Sequence, residues 1–269
     1  MPVGITQSSL EAKGLPRSFR TAAAASADGI EITCARMEEL GALLAEKGPA
    51  QVERLKQAHG LEAPSLGLKL MTEGRLLFSD AAGAAGAAKL IRRAMAAAGG
   101  IGADVVLLPF RGKAAVETEA AFERLLSVLT ELAEEAEQAK VTLGVESILN
   151  LDQQLFLMDH LASYGTVKVY FDTANMLARK LDPATCLRDL GAESVCQIHL
   201  HDIRLGEVGA PPQWDVPLGE GDVDFQAVAQ AMHAIGFEGW SMVEVARCDE
   251  AAAKASIEFA RGLWADQEP

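Results

Sequence analysis

Four residues in the second half of the sequence could act together on one small molecule. Glu146 closes the run Val141-Thr142-Leu143-Gly144-Val145-Glu146, and Asp172 closes Val167-Lys168-Val169-Tyr170-Phe171-Asp172. His199 lies within Gln197-Ile198-His199-Leu200-His201-Asp202, and Glu244 closes Trp240-Ser241-Met242-Val243-Glu244. Each run is short, apolar or β-branched, and reads as a strand. Carboxylates and an imidazole gathered in one low-dielectric place either raise one another's pKa or recruit a cation. Oxygen-rich ligation with a single nitrogen suits one divalent metal, Mn²⁺ first and Mg²⁺ or Co²⁺ as alternatives, and calls for no organic cofactor. Such an ion would polarise a carbonyl and its neighbouring hydroxyl, stabilising the enediolate formed when the adjacent carbon loses a proton. A carboxylate on each side of the substrate could carry that proton.

The elements that must position these residues repeat from end to end. Strands are expected at Val3–Gln7, Gly29–Thr33, Pro64–Lys69, Asp104–Phe110, Val141–Glu146, Val167–Asp172, Val195–Asp202 and Trp240–Val245. Between them, helical periodicity covers Ser18–Ala27, Met37–His59 with a break near Gly48-Pro49, Gly83–Ala98, Val116–Lys140, Leu151–Ser163, Pro183–Leu190, Phe225–Ile235 and Glu250–Trp264. Strictly alternating strands and helices imply a parallel sheet, and the 269 residues suit its closure into a single (β/α)₈ TIM barrel, an α/β fold occupying residues 1–269 as one domain. An open doubly wound sheet would want a glycine-rich turn after the first strand, and Gln7-Ser8-Ser9-Leu10 is none. In a closed barrel the C-terminal strand ends meet at one mouth, where barrel active sites lie. With a strand period of two, Gln197, His199 and His201 share a face, and Ile198 and Leu200 take the one that packs on outer helices. The Gly206–Gly221 stretch reads as an active-site loop rather than a domain boundary.

Composition removes several function classes. A net charge of −14, from 24 Lys and Arg against 38 Asp and Glu, repels phosphate backbones, and Arg92-Arg93 is a lone basic pair rather than a stripe. Nucleic acid is therefore not an expected partner. Glu131, Glu134, Glu135 and Glu137 read as a solvated helix face. No apolar run approaches the roughly 20 residues of a membrane span, and Met1–Leu10 lacks the n- and h-regions of a secretory signal, so a cytoplasmic location is expected. Cys34, Cys186, Cys196 and Cys248 form no CxxC pair and read as inert thiols.

The stretch Phe171-Asp172-Thr173-Ala174-Asn175 leading to Ile198-His199-Leu200-His201-Asp202 resembles the xylose-isomerase-like sugar phosphate isomerase/epimerase family. Pro217-Leu218-Gly219-Glu220-Gly221-Asp222-Val223-Asp224-Phe225 is similar to that family's loop before the seventh helix, and Gly236-Phe237-Glu238-Gly239-Trp240 with Val243-Glu244 to its entry into the eighth strand. The resemblance is strong over Val141–Val245 and architectural before it. It implies that Glu146, Asp172, His199 and Glu244 are metal ligands and that Glu146 and Glu244 exchange protons with the substrate carbon. It places Arg204 near a substrate-holding arginine of some members. Asn175 stands where ketohexose epimerases often carry histidine, and His201 stands where lysine is common, as a hydrogen-bond donor behind the ligands or a substrate contact.

Weaker substrate-binding candidates are Lys69 at the end of the third strand, Arg111 after the fourth, and Trp214 in the long seventh loop, which could stack on a sugar or anchor the loop. Asp152 is expected to cap the next helix, and Glu31 to make a structural hydrogen bond at least as readily as a catalytic one. The leading function is metal-dependent isomerisation or epimerisation of a small sugar or keto-sugar, phosphorylated or not, in carbohydrate metabolism. The alternative is a lyase or dehydratase acting on a keto-inositol or 3-keto-sugar with the same metal and carboxylates. An apurinic endonuclease would want several zinc ions and more histidines than His59, His160, His199, His201 and His233 supply at the mouth, and a non-catalytic barrel would not need all four ligands. The partner is a small carbohydrate, with no membrane; a homodimer or homotetramer is left open.

Overall fold

The alternation read from the sequence becomes a repeated strand–helix chain in the computed structural model, which describes residues 1–73, 77–147, 149–207 and 210–265. In order these are β1 (Val3–Thr6), α1 (Leu15–Ala24), β2 (Gly29–Thr33), α2 (Met37–Leu44), α3 (Gly48–His59), β3 (Ser65–Gly67), α4 (Ala81–Ile101), β4 (Val105–Phe110), α5 (Glu119–Ala139) and β5 (Thr142–Ser147). There follow α6 (Leu151–Leu161), β6 (Val167–Asp172), α7 (Thr173–Ala178), α8 (Pro183–Leu190), β7 (Val195–Arg204), β8 (Gln213–Val216), α9 (Phe225–Ala234), β9 (Trp240–Glu244) and α10 (Glu250–Ala265). The strand order β6-β5-β4-β3-β2-β1-β9-β7, with β6 also paired to β7, closes the sheet. Among the described residues this makes an eight-strand parallel barrel with helices between strands, a single (β/α)₈ barrel. β4 is apolar on both faces, with all of Val105–Phe110 buried. No helix among the described residues is long and apolar enough to cross a membrane.

Contacts gather the chain into two units. The first holds Met1–Glu31, Leu55–Glu62 and Phe171–Pro269. In it α10 packs on α1 and β1, and Arg261 donates to Asp28 Oδ1 at 2.7 Å while Asp28 Oδ2 accepts from the Val3 N–H at 2.8 Å. Phe225 meets Phe259 edge-on at 5.5 Å. The second unit holds Ile32–Arg54 and Ala63–Tyr170. There the small-residue stretch of α4 is an ordered helix, capped by the Asp80 carboxylate on the Gly83 N–H (2.7 Å) and closed by Gly102 in the left-handed region. Buried Ala87, Ala88, Ala94 and Ala98 let it pack against α2 and α5. Arg92 of α4 bonds Glu131 and Glu135 of α5, each at 2.6 Å, so that acidic face is partly bridged rather than wholly solvated.

Several boundaries differ from expectation. The third strand ends at Gly67, and Lys69 opens a 3₁₀ turn to Thr72, because the run is too short to hold more ladder. Asp152 lies in the first turn of α6 but does not cap it. Asn150 does, its side chain accepting from the Gln153 N–H (2.8 Å) while the Gln153 side chain accepts from the Asn150 N–H (3.2 Å). The predicted Gly206–Gly221 loop is in part a hairpin: β7 runs on to Arg204 and pairs antiparallel with β8, with a bulge at Asp202/Ile203. Val208 and Gly209 of that predicted loop lie outside the described residues.

Helix α5 ends on Lys140 with φ 54° and ψ 42°, a left-handed position that costs a residue bearing Cβ but not glycine. Lys140→Gly should raise stability by about 1 kcal/mol, a gain of about 2–4 °C in a chain of this size. Thermal melts of the two proteins side by side check it; an equal or lower midpoint would refute the strain.

Candidate functional site

Asp172 sits at the junction where β6 turns directly into α7, and that junction fixes both of its oxygens. Oδ1 accepts the Asn175 N–H at 2.7 Å, making Asp172 the N-cap of α7. Oδ2 accepts from His201 Nδ1 at 3.0 Å and lies 3.8 Å from His199 Nδ1. His199 Nδ1 is also 2.8 Å from Glu244 Oε2, and its Nε2 is 3.6 Å from Glu31 Oε2. Asp172, His199, His201 and Glu31 are buried, and the Glu244 side chain is 13% exposed. The Thr173 hydroxyl accepts from the His201 N–H (3.0 Å) and donates to the His201 carbonyl (2.6 Å), tying β7 to the start of α7. Burial pushes the Asp172 carboxyl up, but the charge and hydrogen bond of His201, aided by His199, outweigh it and the repulsion of Glu244. The group is held below the usual carboxylate range.

Glu146 stands one residue before the end of β5, almost fully buried, with Arg111 Nε 3.8 Å from its Oε2. Arg111 is 40% exposed, so solvent weakens that pair. One ligand atom from each of Glu146, Asp172, His199 and Glu244 lies within 4.8 Å of all the others. Metal–ligand bonds of about 2.0–2.3 Å put opposite donors about 4–4.6 Å apart, so the set is close to the size of one coordination shell. Three carboxylates and an imidazole, all hard or borderline donors, fit a single divalent cation. This buried cluster could hold one metal ion.

The remaining candidates take different places. Asn175 is buried in α7 and bonded to Asp172 through its backbone. His201 stands behind Asp172 as a hydrogen-bond donor, and the Trp214 ring lies against it with centroids 5.7 Å apart at 43°. Trp214 belongs to β8 and is 40% exposed. Arg204 is exposed and donates to the Glu220 carbonyl at 2.5 Å, which makes it a clamp on the following loop. Lys69 is half-buried in its 3₁₀ turn. His59, His160 and His233 lie on α3, α6 and α9.

Two residues carry more than the sequence reading gave them. Glu31 faces His199 from β2; the signal was a carboxylate between Ile30 and Ile32 in a buried strand, on the opposite face from both. Asp202 is fully buried and accepts four backbone N–H groups, from Ile203 (2.9 Å), Gly219 (2.9 Å), Gly221 (2.9 Å) and Val223 (3.2 Å). A Cβ at Gly221 would overlap this carboxylate, so only glycine fits. Three of the thiols are unsuited to such a part. Burial pushes Cys34 up to about 12, and Cys186 and Cys248 up to about 11, far from the thiolate a nucleophile needs.

Comparison with known proteins decides the lineage. A family model described as the xylose isomerase-like TIM barrel matches residues 19–263. The chain belongs to that family. Within the family and its fold, a curated relative is the Escherichia coli (strain K12) protein SgbU, provisionally assigned as an L-ribulose-5-phosphate 3-epimerase. It is 29% identical over 128 residues, which are 46% of this chain and 44% of SgbU, so the match spans less than half the length of that relative. Among solved structures, a D-tagatose 3-epimerase-like protein superposes with a TM-score of 0.78 at 18% identity, covering 99% of this chain and 98% of that one. The IOLI protein, solved with a zinc atom bound, gives a TM-score of 0.74 at 19% identity over 99% and 97% of the two chains. At such identities these two structures show the shared barrel.

Asp202→Asn keeps the shape but turns one acceptor into a donor facing backbone N–H groups, at a cost of about 2–4 kcal/mol. Urea unfolding should show that loss together with faster amide exchange at Gly219, Gly221 and Val223. Unchanged exchange at those three amides would show that the carboxylate does not hold the loop.

Proposed function

We propose that this chain is a single-domain barrel enzyme, a divalent-metal-dependent epimerase or isomerase of a small sugar or keto-sugar. The observation that carries the reading is the gathering of Glu146, Asp172, His199 and Glu244, largely buried, within 4.8 Å. Family membership and the sugar epimerases among its relatives support it. These four residues would hold the ion, with Mn²⁺ as first choice and Mg²⁺ or Co²⁺ as alternatives. A bound divalent ion would supply Lewis acidity, drawing charge onto the substrate's carbonyl and hydroxyl oxygens.

The chain's own groups would do the rest. Glu146 and Glu244 take a proton from the carbon beside the carbonyl and return one, on the same carbon for epimerisation or on its neighbour for isomerisation. His201 orients Asp172 through the 3.0 Å hydrogen bond, leaving His199 to face the substrate with the carboxylates. Trp214 offers an exposed ring beside His201 on which the C–H face of a sugar can lie. Asn175, Arg204, Arg111 and Lys69 are the polar candidates for substrate hydroxyls.

Two measurements test this. The purified protein, incubated with mixed divalent metals and desalted, should retain about one ion per chain, and His199→Ala should lose it. The loaded enzyme, incubated with ketopentoses and ketohexoses in D₂O, should wash deuterium into the carbon next to the carbonyl, and Glu146→Gln or Glu244→Gln should slow that exchange by about 10²–10⁴-fold. Retention of two or three zinc ions, or a product lighter by one water, would replace the epimerase reading. His201→Ala should weaken Mn²⁺ binding by about 10–100-fold while leaving the circular dichroism spectrum unchanged; full affinity in that variant would remove His201 from its orienting role.

A further inference from the structure

Beside the donor set of Glu146, Asp172, His199 and Glu244 lies one more buried carboxylate, that of Glu31. It sits in β2 between Ile30 and Ile32, and all three residues are buried. The alternation of the strand sends the two isoleucines to one face and Glu31 to the other. Along the sheet β2 is followed by β1, β9 and β7, so Glu31 meets a residue three strands away. Level with it on β1 stands Thr6, a short side chain bonded back to its own turn through Ser8 (3.1 Å) and Ser9 (2.7 Å).

The two ring nitrogens of His199 have different neighbours. Nε2 is 3.6 Å from Glu31 Oε2, and neither side chain is more than 4% exposed. Nδ1 is 2.8 Å from Glu244 Oε2 and 3.8 Å from Asp172 Oδ2. Adjacent donors of one ion, each about 2.1 Å from it, stand about 3 Å apart. Nδ1 thus has the spacing of a fellow ligand of those carboxylates, and Nε2 is the nitrogen presented to Glu31.

We propose that Glu31 is the positioning residue of His199: it accepts the Nε2 proton and so turns the Nδ1 lone pair toward a cation held with Glu146, Asp172 and Glu244. The inference rests on the metal-site reading and adds to it a residue outside the four ligands. A neutral imidazole carries one proton, and a metal takes the lone pair of the nitrogen that lacks it. With the proton on Nδ1, the Nε2 lone pair would face a carboxylate in a dry place, negative against negative. With the proton on Nε2 the contact is attractive, and a small turn of either side chain closes it to the about 2.8 Å of a charge-assisted hydrogen bond. The carboxylate also makes the imidazole more basic toward a metal, which a neutral acceptor does less well. Burying another negative charge beside three others is otherwise unfavourable. Glu31 acts on the imidazole as His201 acts on Asp172.

The test reads the ring proton itself. In nitrogen-15-labelled protein loaded with diamagnetic Zn²⁺, the His199 signals, identified by their loss in His199→Ala, should show Nδ1 bound to metal and Nε2 protonated. The Hε2 resonance should lie downfield, as a carboxylate acceptor requires. Glu31→Leu, similar in volume, should move Hε2 upfield and weaken Mn²⁺ binding by about 10–100-fold. Glu31→Gln, which keeps a neutral acceptor, should move Hε2 part of the way and lose less affinity; should the leucine variant not fold, this one decides. A merely structural glutamate would change the melting midpoint of either variant and leave Hε2 and the Mn²⁺ affinity as in the wild type. That result overturns the proposal, as does coordination through Nε2, and both leave the four-ligand reading standing. Protein that retains no divalent ion defeats that reading instead, and spectra of the metal-free protein then decide the role of Glu31. A downfield Hε2 that shifts in Glu31→Gln upholds it, and an unmoved resonance overturns it.

Discussion

Like charge held out of water is the constraint from which the rest of this structure follows. Around His199 stand Glu31, Asp172 and Glu244, with Glu146 in the same donor set. Two carboxylates about 4.8 Å apart repel by roughly 3 kcal/mol at the effective dielectric of a protein site, and several such pairs would drive flexible side chains apart. Only a backbone that leaves them no retreat can keep them together. Placing each on a different parallel strand does this, because the strand ladders on either side fix every Cα. Imidazoles between the carboxylates lower the repulsion, as the depressed Asp172 carboxyl shows. A divalent ion held by these groups would offset it far more.

The same logic of satisfied carboxylates shapes the surroundings. Asp172 is at once a candidate ligand and a helix cap, so its position is set by the backbone of α7 as well as by β6. Asp202, one residue beyond His201, is buried with no cation near enough to form an ion pair among the described residues. It is stabilised instead by four N–H groups. Those N–H groups belong to β7 and to the glycine loop, and the alternation of the strand explains the division of labour. His199 and His201 point one way and serve the site, and Asp202, on the opposite parity, points the other way and holds the loop. One strand thus carries candidate ligands on one face and the anchor of the glycine loop on the other.

How much of this could be read from the sequence depends on whether a feature has a period. The strands of the barrel were legible because apolar runs alternate with helical ones from end to end, and the positions of Glu146, Asp172, His199 and Glu244 because each stands at the end, or on the inward parity, of such a run. Glu31 obeyed the same parity rule, but a lone carboxylate on the second strand is explained at least as readily by a structural hydrogen bond as by a catalytic role, so the sequence left both open. The hairpin of β7 with β8 was not legible: Gln213–Val216 is four residues long, and a bulge breaks its register. The cap of α6 fell to Asn150 rather than Asp152 since a capping box with Gln153 satisfies two backbone groups, where an aspartate two residues later could satisfy none before the helix begins. The role of Asp202 depends on glycines about twenty residues away, a contact that no local pattern announces.

Stability and function are therefore divided along the barrel. The strand interiors and helix faces, from Phe19 and Ile91 to Val243, are apolar and fully buried, and they supply the free energy that the charged strand ends consume. A barrel can carry such an unfavourable site because the apolar face of each strand packs on the helices, while the residues that repel one another share the opposite parity of their strands.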